Sequence, residues 1–377
     1  MDHNFLLNTI FQYFYLSLVT SCNLNVEEVV MEKTMVLKAE MLHYFHWHRQ
    51  SDRPNETQQQ TGISTMTNSC SFTYVDDLMK PLQLVIYIPI FVLGTVLNIL
   101  ALVVFCFVLR KWTESTIYMT NLALMDLLLL SLLPFKMHAT NHSWEAKYSL
   151  HCSFLESLYF VGMYGSIYTI ACIAADRWVA ICYPFRAKQL RSPRVALGSC
   201  IVIWLLVLGA TSPVYGFREQ RDIPFHCFHR FSEKGWNPAL ICCLLSFGFL
   251  GPVILLVFCS AQSILALRQS GQESSKRRIG VRIIYSSLFA FLVPFTPSHI
   301  GILLQFLVRR GVIEDCITMT RISLFLQVTM SLANVTSCLD AICYYFIASE
   351  VRSSKHKISF RLSRSMSQKR ATITSES

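Results

Sequence analysis

Charged side chains are scarce in this chain. They make up 15% of its 377 residues, against about 25% in soluble domains. Hydrophobic residues make up 53%, and mean hydropathy is +0.42. That deficit argues for a membrane protein over a soluble one. Metal and nucleotide signatures are missing as well. No CxxC, HExxH or GxGxxG occurs among the residues, which removes the simplest zinc, metalloprotease and dinucleotide readings. The net charge of +10 would suit nucleic acid, but the basic residues sit in loops between apolar runs and belong to no recognition motif. Of the 14 cysteines, Cys106, Cys172, Cys200, Cys242, Cys243, Cys259, Cys338 and Cys343 lie inside apolar runs and read as small hydrophobes.

What is present is a set of apolar runs, near 82–108, 115–137, 150–181, 194–214, 238–267, 276–308 and 318–347. Each is long enough to cross a bilayer, which takes about 20 helical residues. The connectors are short, so a seven-helix bundle, all-α, is expected. Lysine and arginine mark the cytoplasmic side. Arg110 and Lys111, then Arg186, Lys188, Arg191 and Arg194, then Arg268, Lys276, Arg277 and Arg278 occupy alternate connectors. The tail from Val351 is basic too. All lie on one side, which puts the N-terminus outside and the C-terminus in the cytoplasm.

Three regions follow: an N-terminal segment 1–75, a helical domain 76–350 and a basic, Ser/Thr-rich tail 351–377. Residues 5–22 resemble the apolar part of a signal peptide, although no Lys or Arg precedes them and Asn8 and Gln12 interrupt them. Residues 23–69 are polar and carry the glycosylation sequon Asn55-Glu56-Thr57. A genuine ectodomain, a cleaved signal and a start misplaced upstream of Met66 all fit. The tail would lie near anionic lipid, and phosphorylation would reverse its charge.

Acids inside the apolar runs point to function, because an intramembrane carboxylate is costly unless it has a partner or a role. Asp126 lies in run two and Asp340 in run seven. Together they could share a proton, or hold a small cation such as sodium with Ser166, Thr336 or Ser337. Interhelical packing polarity is the simpler alternative. Asp176 and Arg177 stand together at the basic-side end of run three, where a snorkelling arginine beside a counter-charge would also serve. Cys152 and Cys227 both fall on the outer side, where disulfides persist, and Cys70 and Cys316 make a second outer pair. Prolines 134, 213, 252, 294 and 297 interrupt runs. Pro294 and Pro297 make run six a hinge, with Phe291 and Phe295 on one face of it.

As a set, these features resemble the class A, rhodopsin-like G-protein-coupled receptors over about 76–352. The markers are Asn98 in "GTVLN", Asp126 in "LALMD", Cys152, Arg177 in "DRW", Trp204, Pro252, Pro297 in "FLVPFTP" and Tyr344 in "DAICY". More narrowly, "STIYMTNLAL", "LPFKM", "LRSPR" and "CLDAICYYF" are similar to the branch that includes receptors for lysophosphatidylinositol and kynurenic acid. Trp178, Pro294-Phe295, Asp340-Ala341 and Ser260 depart from the family's usual residues, and no cysteine follows Cys343. Asp340-Ala341 in place of Asn-Pro allows a straighter helix at that point.

The resemblance implies an outward pocket between helices two, three, five, six and seven. There Lys136 would meet a ligand phosphate or carboxylate, or Glu156 when the pocket is empty. Tyr159, Phe160, Met163 and His299 would line the pocket, and Arg309 with Arg310 would steer anions inward. It also implies a receptor without enzyme activity or cofactor, at the plasma membrane. Its partners would be an anionic lysolipid or small carboxylate, membrane lipids, a heterotrimeric G protein of the Rho-activating or calcium-mobilising classes, and arrestin through the phosphorylated tail. Arg177, freed from Asp176, would meet the G protein, with Asp176, Pro252, Phe291, Phe295, Pro297 and Tyr344 serving activation. A transporter reading lacks internal repeats. A retinal protein would need a lysine in run seven, which has none.

Overall fold

The computed structural model describes residues 72–109, 112–216, 225–228, 233–269 and 274–341. Seven helices among them are long and apolar enough to span a membrane: α1 (Thr73–Leu109), α2 (Glu114–Asn141), α3 (Ser149–Cys182), α4 (Pro193–Ala210), α5 (Pro238–Gln269), α6 (Ser274–Arg309) and α7 (Cys316–Ala333, resuming as far as Ala341). Asn55, Cys70, Tyr344 and the tail lie outside the described residues.

The helix starts are written in local chemistry. Thr113, Ser192, Asn237 and Asp315 each accept a hydrogen bond from a first-turn backbone N–H, satisfying a donor that no carbonyl can reach. Pro193 and Pro238 follow two of these caps, where their missing N–H matters least. Hydrogen bonds from the Thr318 hydroxyl and backbone hold the exposed Asp315 carboxyl below the usual carboxylate range. α1 begins at Thr73, earlier than its apolar run, because the first turns carry Asp76, Asp77 and Lys80, which lower hydropathy without breaking a helix.

Burial divides the helices into two sets. In the most apolar stretch of α2, α3 and α7, 61–67% of residues are buried, against 17–28% in α1, α4, α5 and α6. The first set forms the centre, and the second presents Val96, Leu205, Phe247 and Ile254 outward, where hydrocarbon would meet them. Polar side chains point inward and join helices. Asn121 donates to Thr169 (2.8 Å) and accepts from Trp204 Nε1 (3.0 Å), tying α2 to α3 and α4. Tyr87 meets Ser331 at 3.0 Å, and Asn98 donates to the Ser337 carbonyl at 2.9 Å, tying α1 to α7.

Among the described residues three helices depart from regular α geometry: α1 ends in a π segment, Val104–Leu109, and α5 and α7 are interrupted. In α5 the segment Leu244–Leu250 is a π turn, and the Gly251 N–H reaches back to the Ser246 carbonyl. The next donor in that register belongs to Pro252, which has none. The Phe247 carbonyl is satisfied instead by the Tyr168 hydroxyl of α3 at 2.7 Å. α7 turns at Asn334–Val335 and then resumes as far as Ala341; the stretch that follows Asp340-Ala341 lies outside the described residues. Asn334 donates to the Met330 and Ser331 carbonyls and competes with the helical backbone bonds.

One end of the bundle is closed by a loop. Cys152 at the start of α3 is bonded to Cys227. Phe225 pairs with Trp144 through two backbone hydrogen bonds of 2.7 and 3.0 Å. Phe228 takes a positive φ of 64°, uncommon for a bulky residue, and its N–H donates to Glu156 Oε1 at 2.8 Å. Cys316 is disulfide-bonded as well, and its partner lies outside the described residues.

α2 and α3 approach closely at Gly162, where an added Cβ would lie 3.2 Å from the Leu129 backbone nitrogen and 3.3 Å from the Met125 carbonyl. Gly162→Leu is therefore expected to destabilise the bundle by about 1–3 kcal/mol and lower its melting temperature in detergent. Gly198→Leu, where a Cβ meets nothing within 4 Å, serves as the control and should melt with the parent.

Candidate functional site

Lys136 is the first feature that demands an explanation. It is buried one turn from the disulfide-bearing end of α2, at 7% exposure. No described carboxylate lies within ion-pair distance of its Nζ. Two aromatic rings hold it instead, Tyr159 at 4.2 Å and Tyr87 at 5.4 Å from the ring centroids. A desolvated cation over such faces gains about 2 kcal/mol or more. Tyr159 is itself aimed by its hydroxyl, which donates to Asn334 Oδ1 at 3.3 Å, at the break in α7.

The expected Lys136–Glu156 pair is not formed. Glu156 is fully buried, but it faces the Cys152–Cys227 disulfide and the Phe228 N–H. It lies one turn along α3 from Cys152 and holds the loop, while Tyr159 comes between α3 and Lys136. Cys152, Cys227 and Glu156 cluster closely enough to suggest a metal site, but bonded sulfurs offer no thiolate to a metal.

Beyond Lys136 the lining is aromatic. Met163 is buried, and the half-buried Phe160 ring stacks with Tyr164 at 6.5 Å. His299 of α6 is buried and fully bonded. Its Nδ1–H donates to the Phe295 carbonyl at 2.8 Å, which leaves Nε2 to accept from Tyr164 at 3.4 Å. The ring stacks on Phe249 of α5 at 4.0 Å. Phe249 also stacks with Phe291, which packs on Phe295 at 5.2 Å. The α5 π turn and the Pro294–Pro297 segment of α6 thus share one aromatic column, with Pro252 buried just past the turn. Arg309 lies over the Trp236 ring at 5.0 Å, and Arg310 donates to the Trp236 carbonyl at 3.4 Å. Both arginines grip the segment before α5 at the rim.

Deeper in the bundle, Asp126 and Asp340 are both buried and close enough to repel each other. Ser166 donates to Asp126 Oδ1 at 3.2 Å. Four buried oxygens around them carry no hydrogen bond: Asn98 Oδ1, Asp126 Oδ2, Ser337 Oγ and Asp340 Oδ2. Unpaired oxygens on a pair of acids fit a small hard cation or a shared proton. Thr336, the other oxygen considered, is already bonded to the Ala333 carbonyl.

At the opposite end of α3, Asp176 is bound differently from expectation. Both its carboxylate oxygens are taken by Arg191, from Nε and Nη2 at 2.7 Å each, in a bidentate pair. Arg191 also reaches Ser115 of α2 at 3.4 Å. Adjacent residues on a helix diverge by about 100°, so Asp176 and Arg177 do not face one another. The loop residue reaches the acid, and Arg177 stands half-buried beside the pair. Tyr87, Asn334 and Arg191 were the partners that sequence reasoning missed. Arg191 alone had a visible signal, as one of the cations clustered in the short connector after α3.

Residues 97–344 match the seven-transmembrane receptor (rhodopsin family) model. The chain is 41% identical to human G-protein coupled receptor 55 over 293 residues, covering 76% of this chain and 91% of that protein. It is 37% identical to human G-protein coupled receptor 35 over 266 residues, 69% and 81% of the two chains. Human lysophosphatidic acid receptor 6 is 31% identical over 299 residues, 76% and 86%. With these matches joined to seven apolar helices and a buried polar interior, the chain belongs to the rhodopsin family of seven-transmembrane receptors, multi-pass plasma-membrane proteins that couple to G proteins and are not enzymes.

Proposed function

We propose that this receptor is activated by an anionic, lipid-like agonist, best matched by lysophosphatidylinositol, whose head group meets Lys136. The observation that carries this reading is a buried ammonium surrounded by tyrosine rings with no acid among the described residues to neutralise it. Such a cation completes its environment with an anion from the ligand. An aromatic and aliphatic wall running inward from it suits a single acyl chain. The relative named for lysophosphatidic acid adds support from a neighbouring anionic lysolipid. A small carboxylate such as a tryptophan metabolite is the second reading, favoured by how tightly two rings frame a single cation.

In this reading the disulfide-bearing end faces outside and the basic tail lies in the cytoplasm. Agonist binding shifts a population that already contains the active state. Lys136 and Tyr159 touch the ligand, and Tyr159 passes the change to Asn334 and so to the break in α7. The aromatic column of Phe249, Phe291, Phe295 and His299 lets α6 swing about its prolines. Release of Asp176 from Arg191 then repositions Arg177 for the G protein, of the Rho-activating and calcium-mobilising classes. Arrestin would engage the phosphorylated tail. Asp126 and Asp340, with Asn98, Ser166 and Ser337, would hold sodium or a shared proton and bias the two states.

A panel of lysolipids and tryptophan metabolites, read by G-protein dissociation in transfected cells, tests the ligand class. Silence to every lysolipid would end the first reading. Lys136→Ala, matched for surface expression, should weaken the anionic agonist about 30-fold, equivalent to about 2 kcal/mol. An unchanged dose–response would remove Lys136 from the head-group site. Asp340→Asn should flatten the dependence of basal nucleotide exchange on sodium and pH. Retention of both dependences would leave the paired acids as packing alone.

A further inference from the structure

Four histidines gather at the disulfide-bearing end of the bundle, outside the pocket described above. His138 lies on the last turn of α2 and His142 is the residue that caps its end, with rings stacked 4.6 Å between centroids and 12° from parallel. His142 Nδ1 lies 3.3 Å from the His138 carbonyl. His226, from the loop fixed by Cys227, places its Nδ1 3.1 Å from the next carbonyl, that of Ala139. His151 stacks on Trp144 at 5.9 Å, and Trp144 meets His138 edge-on at 6.3 Å. All four histidines are exposed.

A carbonyl can only accept, so Nδ1 of His142 and of His226 must carry the proton. That leaves each Nε2 with a lone pair, the form in which a histidine binds a metal. The two anchoring carbonyls are consecutive and belong to the end of a helix, where the dipole favours a cation. The His142 N–H still bonds the His138 carbonyl at 3.1 Å, and the stacked rings show that both side chains leave the same side of the helix end. The rings of His138 and His142 are exposed and lie 4.6 Å apart, and bringing their donors onto one ion requires side-chain rotation. The acid of this segment, Glu145, is paired with Lys147 at 2.7 Å, and among the described residues the donors set against the end of α2 are imidazole nitrogens. Imidazole selects zinc, copper or nickel over magnesium or calcium.

We propose that His138, His142 and His226 form a binding site for a borderline divalent metal, zinc being the class representative, which bridges the end of α2 to the disulfide-held loop. An occupied site would brace the turn that follows Lys136, whose carbonyl already accepts from Thr140 at 2.9 Å.

The test is a zinc titration of the purified full chain in nanodiscs, read by melting temperature and by a competing zinc dye, with no agonist needed. Micromolar zinc should raise the melting temperature, and chelator should reverse the shift. The His138→Ala/His142→Ala double variant and His226→Ala should each need about tenfold or more zinc for the same shift. Glutamine versions of the same variants serve if alanine lowers metal-free stability. No zinc uptake by the parent chain would overturn the proposal, as would an unchanged midpoint in the histidine variants. So would loss of the effect only in Cys242→Ser/Cys243→Ser, since those exposed thiols are the competing donors.

Discussion

A lipid bilayer supplies no water, so each polar group in the span must find its partner within the chain. That constraint organises most of this molecule. The Phe247 carbonyl, deprived of a donor by Pro252, is served by Tyr168 from another helix. Asn121 uses both ends of its amide to hold α3 and α4. Helices that all present apolar surface to lipid gain little from packing by hydrophobicity, so these hydrogen bonds and close glycine approaches select which faces meet. Pairing is therefore specific where polar residues fall, and Gly162 lets the backbone of α2 come close to α3.

The places where the rule is strained are the places with functional promise. α5 widens into a π turn and α7 breaks at Asn334–Val335, each beside a group that would have to move or be neutralised. The π turn carries Phe249 against His299 and Phe291. The α7 break receives Tyr159, whose ring also carries Lys136. A perturbation at Lys136 thus has a direct physical route to α7 through one tyrosine. Packed elements with two discrete arrangements turn small shifts into population changes, and interrupted helices supply such elements more readily than continuous ones.

Hydropathy made the seven spans legible because membrane insertion selects directly for apolar length. The span ends were less legible. The first turns of α1 are polar, and water satisfies a charged helical turn outside the bilayer as well as it does a loop. The break in α7 left no signal, since neither proline nor glycine marks it; an asparagine side chain competing with the backbone reads in sequence as any buried amide. The site was legible in its charged members and illegible in their partners. Lys136, Asp126 and Asp340 stand out against an apolar background. Tyr87, 49 positions from Lys136 in the chain, does not, because an aromatic face carries no charge to attract notice. Choosing Glu156 for Lys136 and Arg177 for Asp176 shared one error, which was to match sign before direction. A helix fixes direction first, and both acids turned to groups that their own faces could reach.

Lys136 and the two aspartates represent different solutions to one problem, a buried charge. The lysine is stabilised by aromatic quadrupoles, which leave its charge formally unneutralised and so still attractive to an anion. The aspartates are surrounded by oxygens, which repel another anion and invite a cation or a proton. The two sites thus differ in the sign of what they can take up. Placed along one bundle, they let an anion near one end and a cation near the middle act on the same helices, since α2 carries both Lys136 and Asp126, and α7 carries both Asn334 and Asp340. In the proposed reading, these shared helices are the route by which the two occupancies couple. If both ligands have different affinities for two arrangements of α7, each changes the affinity for the other by the same factor.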